Sequence, residues 1–191
     1  MSRDRHRQTL QALNMARESR DGFASAFAPE LHTLVEELAL ALDAPAEVRE
    51  EAIRVARLQD LGRLGVSQLT LAADRRLNDS EIDEIRRAPM VAQSLVAAMP
   101  GYESAARAVR HVNERWDGEG YPDGLAGEEI PLASRIMAVA GAFHAMSTPR
   151  PFRAAMKPKT IAKELTSGSG SQFDPRVVAA FQGLVQPLIG D

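Results

Sequence analysis

Apolar residues recur along this chain at spacings of three and four, and strict apolar–polar alternation is nearly absent. The first pattern gathers side chains on one face of an α-helix; the second would line one face of a strand. Leu31, Leu34, Leu38 and Leu42, with Val35 and Ala39, form one such helical stripe. Pro45 suits the first turn of the next helix, where its missing N–H has no helical partner to lose. That helix carries Val48, Ala52, Val55, Ala56 and Leu58 inward and is expected to end near Gly62. The stretch LGRLGVSQLTL that follows reads as an irregular crossing. Asn78 with Glu81 predicts a capping box, and Leu77 can staple onto Ile82. Pro89 is expected to break or restart this helix, and Pro100–Gly101 to end it.

A helical stretch over 102–116 then leads into a Gly-rich loop, DGEGYPDGLAGEEIP. Pro131 opens a helix reaching Thr148, with Ile136, Val139, Ala140 and Phe143 on its buried side. The segment SGSGS at 167–171 predicts a flexible connection. Beyond it, Asp174 can cap, Pro175 can take the first helical position, and Phe173 can staple onto Val178. The sum is an all-α fold, a single helical bundle of about seven or eight helices. Residues 1–26 stand apart as an N-terminal helix or a linker to an upstream module, and 27–191 form the domain.

Composition narrows the function. The chain has 191 residues, enough for one substantial core, with 45% hydrophobic and 5% aromatic residues, a mixture that favours helix over strand. It has no cysteine, which excludes disulfides, zinc–thiolate sites and a cysteine nucleophile. The net charge of −3 lacks the basic footprint of a nucleic-acid binder. No apolar run is long enough to span a bilayer, and the polar start MSRDRHRQTLQ is unlike a signal peptide. The expectation is therefore a cytoplasmic domain with neither nucleic acid nor membrane as partner.

RWDGEGYPDGLAGEEIP (115–131) is the most informative stretch. Gly118, Gly120, Gly124 and Gly127 permit unusual backbone angles, Pro122 and Pro131 fix the chain, and Trp116 and Tyr121 offer anchors for packing or recognition. Together with LQDLGRLGV upstream, and LASRIMAVAGAFHAMSTPRPFR and SGSQFDP downstream, this stretch resembles the HD-GYP family over roughly residues 27–185. The resemblance implies an HD-superfamily helical core and a link to bacterial cyclic di-GMP signalling. Active members of that family use clustered metals to hydrolyse the dinucleotide.

The same resemblance implies a degenerate metal site. At the family's ligand positions this chain has Gln59, Ala88, Val112, Asn113 and Gly141, with His144 in place of a second Asp; only Asp60 is retained, and Arg63 replaces a lysine. The family's first His aligns with Phe27, with His32 nearby, and two basic positions of the loop read Asp123 and Ala126. Neutral imidazole and carboxylate are the donors such ions need, and Val, Ala and Gly offer none. The expectation is a catalytically inactive domain without metal or other cofactor, its pocket filled by apolar replacements. It would act through protein contacts, with a diguanylate cyclase, a receiver domain or another copy of itself, using the loop residues Trp116, Gly118, Gly120, Tyr121 and Pro122. The alternatives are a cyclic di-GMP receptor that does not hydrolyse, and a phosphodiesterase with a reduced metal site. For the latter, Asp60, His144 and His111 are the candidate ligands.

Overall fold

Leu31, Val35, Leu38 and Ala39 lie on one face of α1 (Pro29–Ala41) and are almost fully buried, as the apolar stripe requires. The computed structural model describes residues 12–13, 15–16, 19–20, 29–149 and 154–189; Phe27 and most of the 1–26 segment lie outside them. From Pro29 onward the described residues form α2 (Ala46–Leu58), a 3-10 segment (Gln59–Gly65), α3 (Gln68–Leu71), α4 (Asp79–Ala97), α5 (Glu103–Arg110), a short 3-10 turn (Gly127–Glu129), α6 (Leu132–Ser147), α7 (Pro158–Ser167) and α8 (Pro175–Ile189). The expected all-α fold is what the chain adopts.

The core is built around α6, which packs against α1, α2, α7 and α8 and touches α5. Its Ile136, Met137, Val139 and Ala140 are excluded from solvent. Small residues at Ala105, Ala106 and Ala108 let α5 approach closely, and the Ser134 hydroxyl donates to the Ala108 carbonyl at 2.8 Å, so a buried polar group is satisfied where the two helices meet. At the other end, Asp174 accepts from the Arg176 N–H at 2.8 Å as the cap of α8, and from Arg135 at 2.7 Å. Phe173 and Val178 are both buried beside it, as the staple predicts.

Several boundaries differ from the pattern-based expectation. α2 stops at Leu58, and the crossing beyond it is ordered: a 3-10 segment, then α3 capped by the Ser67 hydroxyl. Pro89 does not interrupt α4. Pro89, Ala92 and Val96 are buried on the face of a helix that packs along the 3-10 segment, and this tertiary burial holds the helix through the missing N–H. That contact is backbone to backbone: a Cβ placed on Gly62 would lie 2.1 Å from the Ala88 carbonyl oxygen. The helix expected over 102–116 ends at Arg110. Residues 167–171 are not a loose connection either: the Gly170 N–H donates to the Phe173 carbonyl at 2.9 Å, and Ser169 bridges to Phe173.

The capping box at the start of α4 forms as expected. Asn78 Oδ1 accepts from the Glu81 N–H at 3.0 Å and the Glu81 carboxylate accepts from the Asn78 N–H at 2.9 Å. Arg75 and the Asn78 N–H hold the Glu81 carboxyl down to about 2. A folded-state value below the unfolded one gives stability that is present above about 4.3 and lost as the pH falls toward about 2. The melting temperature of Glu81→Gln should therefore lie below that of the parent at pH 6, and the gap should close between pH 4 and pH 2. A gap that widens on acidification would contradict this.

Candidate functional site

The loop after α5 folds back on its own stem. His111 ends the helix, the Glu114 N–H donates to the His111 carbonyl at 3.2 Å, and both side chains are buried. The return strand of the loop is tied down by the Tyr121 N–H donating to the Asn113 carbonyl at 3.2 Å and the Asp123 N–H donating to Glu114 Oε1 at 2.8 Å. Gly120 makes this reversal possible: a Cβ there would lie 2.3 Å from the Arg115 nitrogen and 2.5 Å from the Glu114 Cα. Residues 115–117 then anchor the loop outward. Trp116 and Asp117 donate their N–H groups to the Gln172 and Ser171 carbonyls, Arg115 pairs with Asp117 at 2.6 Å, and Trp116 lies under the Arg135 guanidinium. The Tyr121–Pro122 peptide is cis and Gly118 has a positive φ of 82°.

This reversal brings Asp123 onto His111 and Glu114. His111 Nε2 and Asp123 Oδ2 are 2.8 Å apart, and Arg110 grips the same carboxylate with Nε and Nη2, both at 2.6 Å. Arg110 also donates to Gln93 on α4 at 2.9 Å, which fixes the guanidinium. Arg110 first and His111 second hold the Asp123 carboxyl far below the usual range. One donor atom from each of His111, Glu114 and Asp123 lies within 4.8 Å of the others. Two polar atoms of this cluster, Glu114 Oε2 and His111 Nδ1, are buried with no hydrogen-bond partner among the described residues. An orphaned buried carboxylate oxygen calls for an explanation, since leaving one costs about 1–3 kcal/mol. An imidazole with two carboxylates is a donor set that suits a single divalent cation.

Next to the cluster, and sharing Glu114 with it, is an open cavity of about 530 Å³. Gln59, Val112, Asn113 and Gly141 line it, together with Gly120 and Tyr121 from the loop and Arg86 from α4. Burial pushes the Tyr121 hydroxyl up, with Arg86 acting in the opposite sense, so the phenol is protonated at neutral pH. The remaining positions singled out by sequence stand elsewhere. Asp60 and Arg63 belong to the 3-10 segment, Ala88 is pressed against Gly62, and His144 is half-buried in the last turn of α6. None of these four is among the residues lining the cavity. A cavity is open beside Val112 and Gly141, and Phe27, one of the residues expected to fill it, lies outside the described residues.

Residues 7–177 match the HD domain family. The chain belongs to that family. It is 35% identical over 184 residues to the cyclic di-GMP phosphodiesterase response regulator RpfG of Xanthomonas campestris, an alignment covering 93% of this chain and 47% of that protein. It is 29% identical over 183 residues to a cyclic di-GMP phosphodiesterase of Thermotoga maritima, covering 95% of this chain and 50% of the relative. Among solved structures, a cyclic GMP-AMP specific phosphodiesterase of Vibrio cholerae superposes with a TM-score of 0.70 at 18% identity, over 93% of this chain and 48% of that one, and so shares the fold. The chain spans half or less of the length of these relatives. The HD-GYP resemblance therefore holds. No helix among the described residues is long and apolar enough to cross a membrane.

The expectation that the domain does no chemistry is overturned. The relatives are named as phosphodiesterases, and the structure assembles a candidate ion site that the sequence reading did not contain. The family's ligand positions do not reveal it: Asp123 stands where the resemblance implies a basic residue, Glu114 is not one of those positions, and His111 meets Asp123 and Glu114 where Asp60 and His144 were expected. The available signal was the His111-x-x-Glu114 spacing, one helical turn, followed by an Asp in a loop whose glycines allow it to return.

Proposed function

We propose that this domain is a cyclic-dinucleotide phosphodiesterase working with a reduced metal site, in which His111, Glu114 and Asp123 hold one divalent cation beside the cavity that receives the substrate. The observation that carries this reading is the orphaned, buried Glu114 Oε2 within a three-donor cluster at the cavity edge. The residues at the family's own ligand positions do not fit a binuclear centre: Gln59 and Asn113 offer at most amide oxygens, Ala88, Val112 and Gly141 offer nothing, and Asp60 and His144, the two that carry good donors, do not line the cavity.

Hydrolysis of one ring ester places a water oxygen on phosphorus, breaks the P–O bond to the 3′ oxygen and leaves a linear dinucleotide. A divalent cation bound at the cluster would polarise a phosphoryl oxygen and lower the pKa of water. The chain's residues do the rest. Gln59 and Asn113 offer amide groups to the ligand, Tyr121 offers a protonated hydroxyl, and Gly120 lets the loop pack against the backbone of Glu114 and Arg115 at the cavity edge. Arg110 and a cation compete for the same Asp123 carboxylate, which sets the affinity of the site below that of an unhindered triad. Incubating the purified protein with cyclic di-GMP or cyclic GMP-AMP and Mn²⁺ should yield the linear dinucleotide. Product no greater than in a heat-denatured control, with either substrate, would overturn the reading.

A further inference from the structure

Three arginines of the loop and its neighbours are committed: Arg110 pairs with Asp123, Arg115 with Asp117 and Arg135 with Asp174. Arg86 is different. It lines the cavity from α4, it is exposed, and it has no hydrogen bond or ion pair among the described residues. It shares the cavity lining with Tyr121, whose hydroxyl feels its charge. The other cation there, Arg115, has its charge met by Asp117 through bonds of 2.6 and 3.0 Å.

We propose that Arg86 is the phosphate-binding residue of this cavity and takes a phosphate of the dinucleotide in its guanidinium fork, with the Tyr121 hydroxyl donating beside it. This rests on the phosphodiesterase reading and adds the residue that recognises the substrate's charge. A dinucleotide carries two phosphates, and a planar guanidinium meets two phosphate oxygens at once. The loop positions expected to supply basic charge hold Asp123 and Ala126, so the compensating cation comes from α4. Packing of α4 along the 3-10 segment is what brings Arg86 beside Gln59. Glu119 also lines the cavity, and its carboxylate opposes an incoming phosphate. The two residues should therefore act with opposite sign.

The test is a calorimetric titration of the full chain with cyclic di-GMP in chelator, where no turnover occurs and affinity is read directly. Arg86→Ala should weaken binding about 10-fold or more, and should flatten the dependence of affinity on salt, because one salt-screened charge pair is gone. Arg86→Lys should recover part of the loss, and Glu119→Gln should tighten binding. Arg87→Ala, one position away and outside the cavity lining, is the control and should bind like the parent. If the parent binds and Arg86→Ala binds equally well, the role of Arg86 is overturned while the phosphodiesterase reading stands. If the parent protein binds neither cyclic di-GMP nor cyclic GMP-AMP in chelator, the role of Arg86 falls, and the turnover assay with Mn²⁺ decides the phosphodiesterase reading separately.

Discussion

Replacing Glu114 with Gln should lower the affinity for Mn²⁺ by about 100-fold and reduce cyclic-dinucleotide turnover at least as much. The substitution keeps the shape of the side chain and the oxygen that accepts the Asp123 N–H at 2.8 Å, so the loop stays closed. What it removes is the negative charge behind the buried, unpartnered Oε2. With the side-chain shape and the bond from the Asp123 N–H kept, the melting temperature should move by only a few degrees. The two effects together separate a ligand from a structural residue. Titration of chelator-treated protein with Mn²⁺, run beside a thermal melt, checks both. A large loss of stability with unchanged ion affinity would show that Glu114 serves the fold alone.

Gly120→Ala should be the most damaging single change in the loop. Its Cβ would fall 2.3 Å from the Arg115 nitrogen and 2.7 Å from the Glu114 carbonyl carbon, and both are backbone atoms that cannot swing aside. The loop must open to admit the methyl group, which breaks the bonds from Tyr121 to Asn113 and from Asp123 to Glu114. Overpacking together with two lost hydrogen bonds should cost about 3 kcal/mol, a fall in melting temperature of about 10 °C for a chain of this size. Ion binding should fail with it, because Asp123 no longer returns to His111. Gly124→Ala is a useful contrast, since its positive φ of 69° strains any replacement but its Cβ would meet only the Gly118 carbonyl oxygen at 3.6 Å. It should cost less. Equal melting temperatures for Gly120→Ala and the parent would refute this account of the loop.

Periodicity made the helices legible, because burial in a bundle imposes a spacing of three to four residues regardless of what the domain does. It placed the stripe of α1, the capping box at Asn78, the start of α6 at Pro131 and the staple at Phe173. It misplaced what tertiary contact decides. Pro89 stays helical because its face is buried against the 3-10 segment, and the glycines at 168 and 170 are held by bonds to Phe173 that no local pattern announces. The site was legible in part. Family positions pointed to Gln59, Val112, Asn113 and Gly141, and these do surround one cavity with Tyr121. The ion cluster was not, since it depends on a loop reversal that places residues 111 and 123 in contact. Local spacing can suggest His111 with Glu114, but it cannot say where a returning loop ends.

Metal content of protein purified without chelator shows where the ion sits. One equivalent of a divalent transition metal is expected in the parent protein, lost in Asp123→Asn and retained in Asp60→Ala, whose side chain does not belong to the cluster. A metal-free parent, or an ion lost in Asp60→Ala and kept in Asp123→Asn, would contradict the assignment of the site to His111, Glu114 and Asp123.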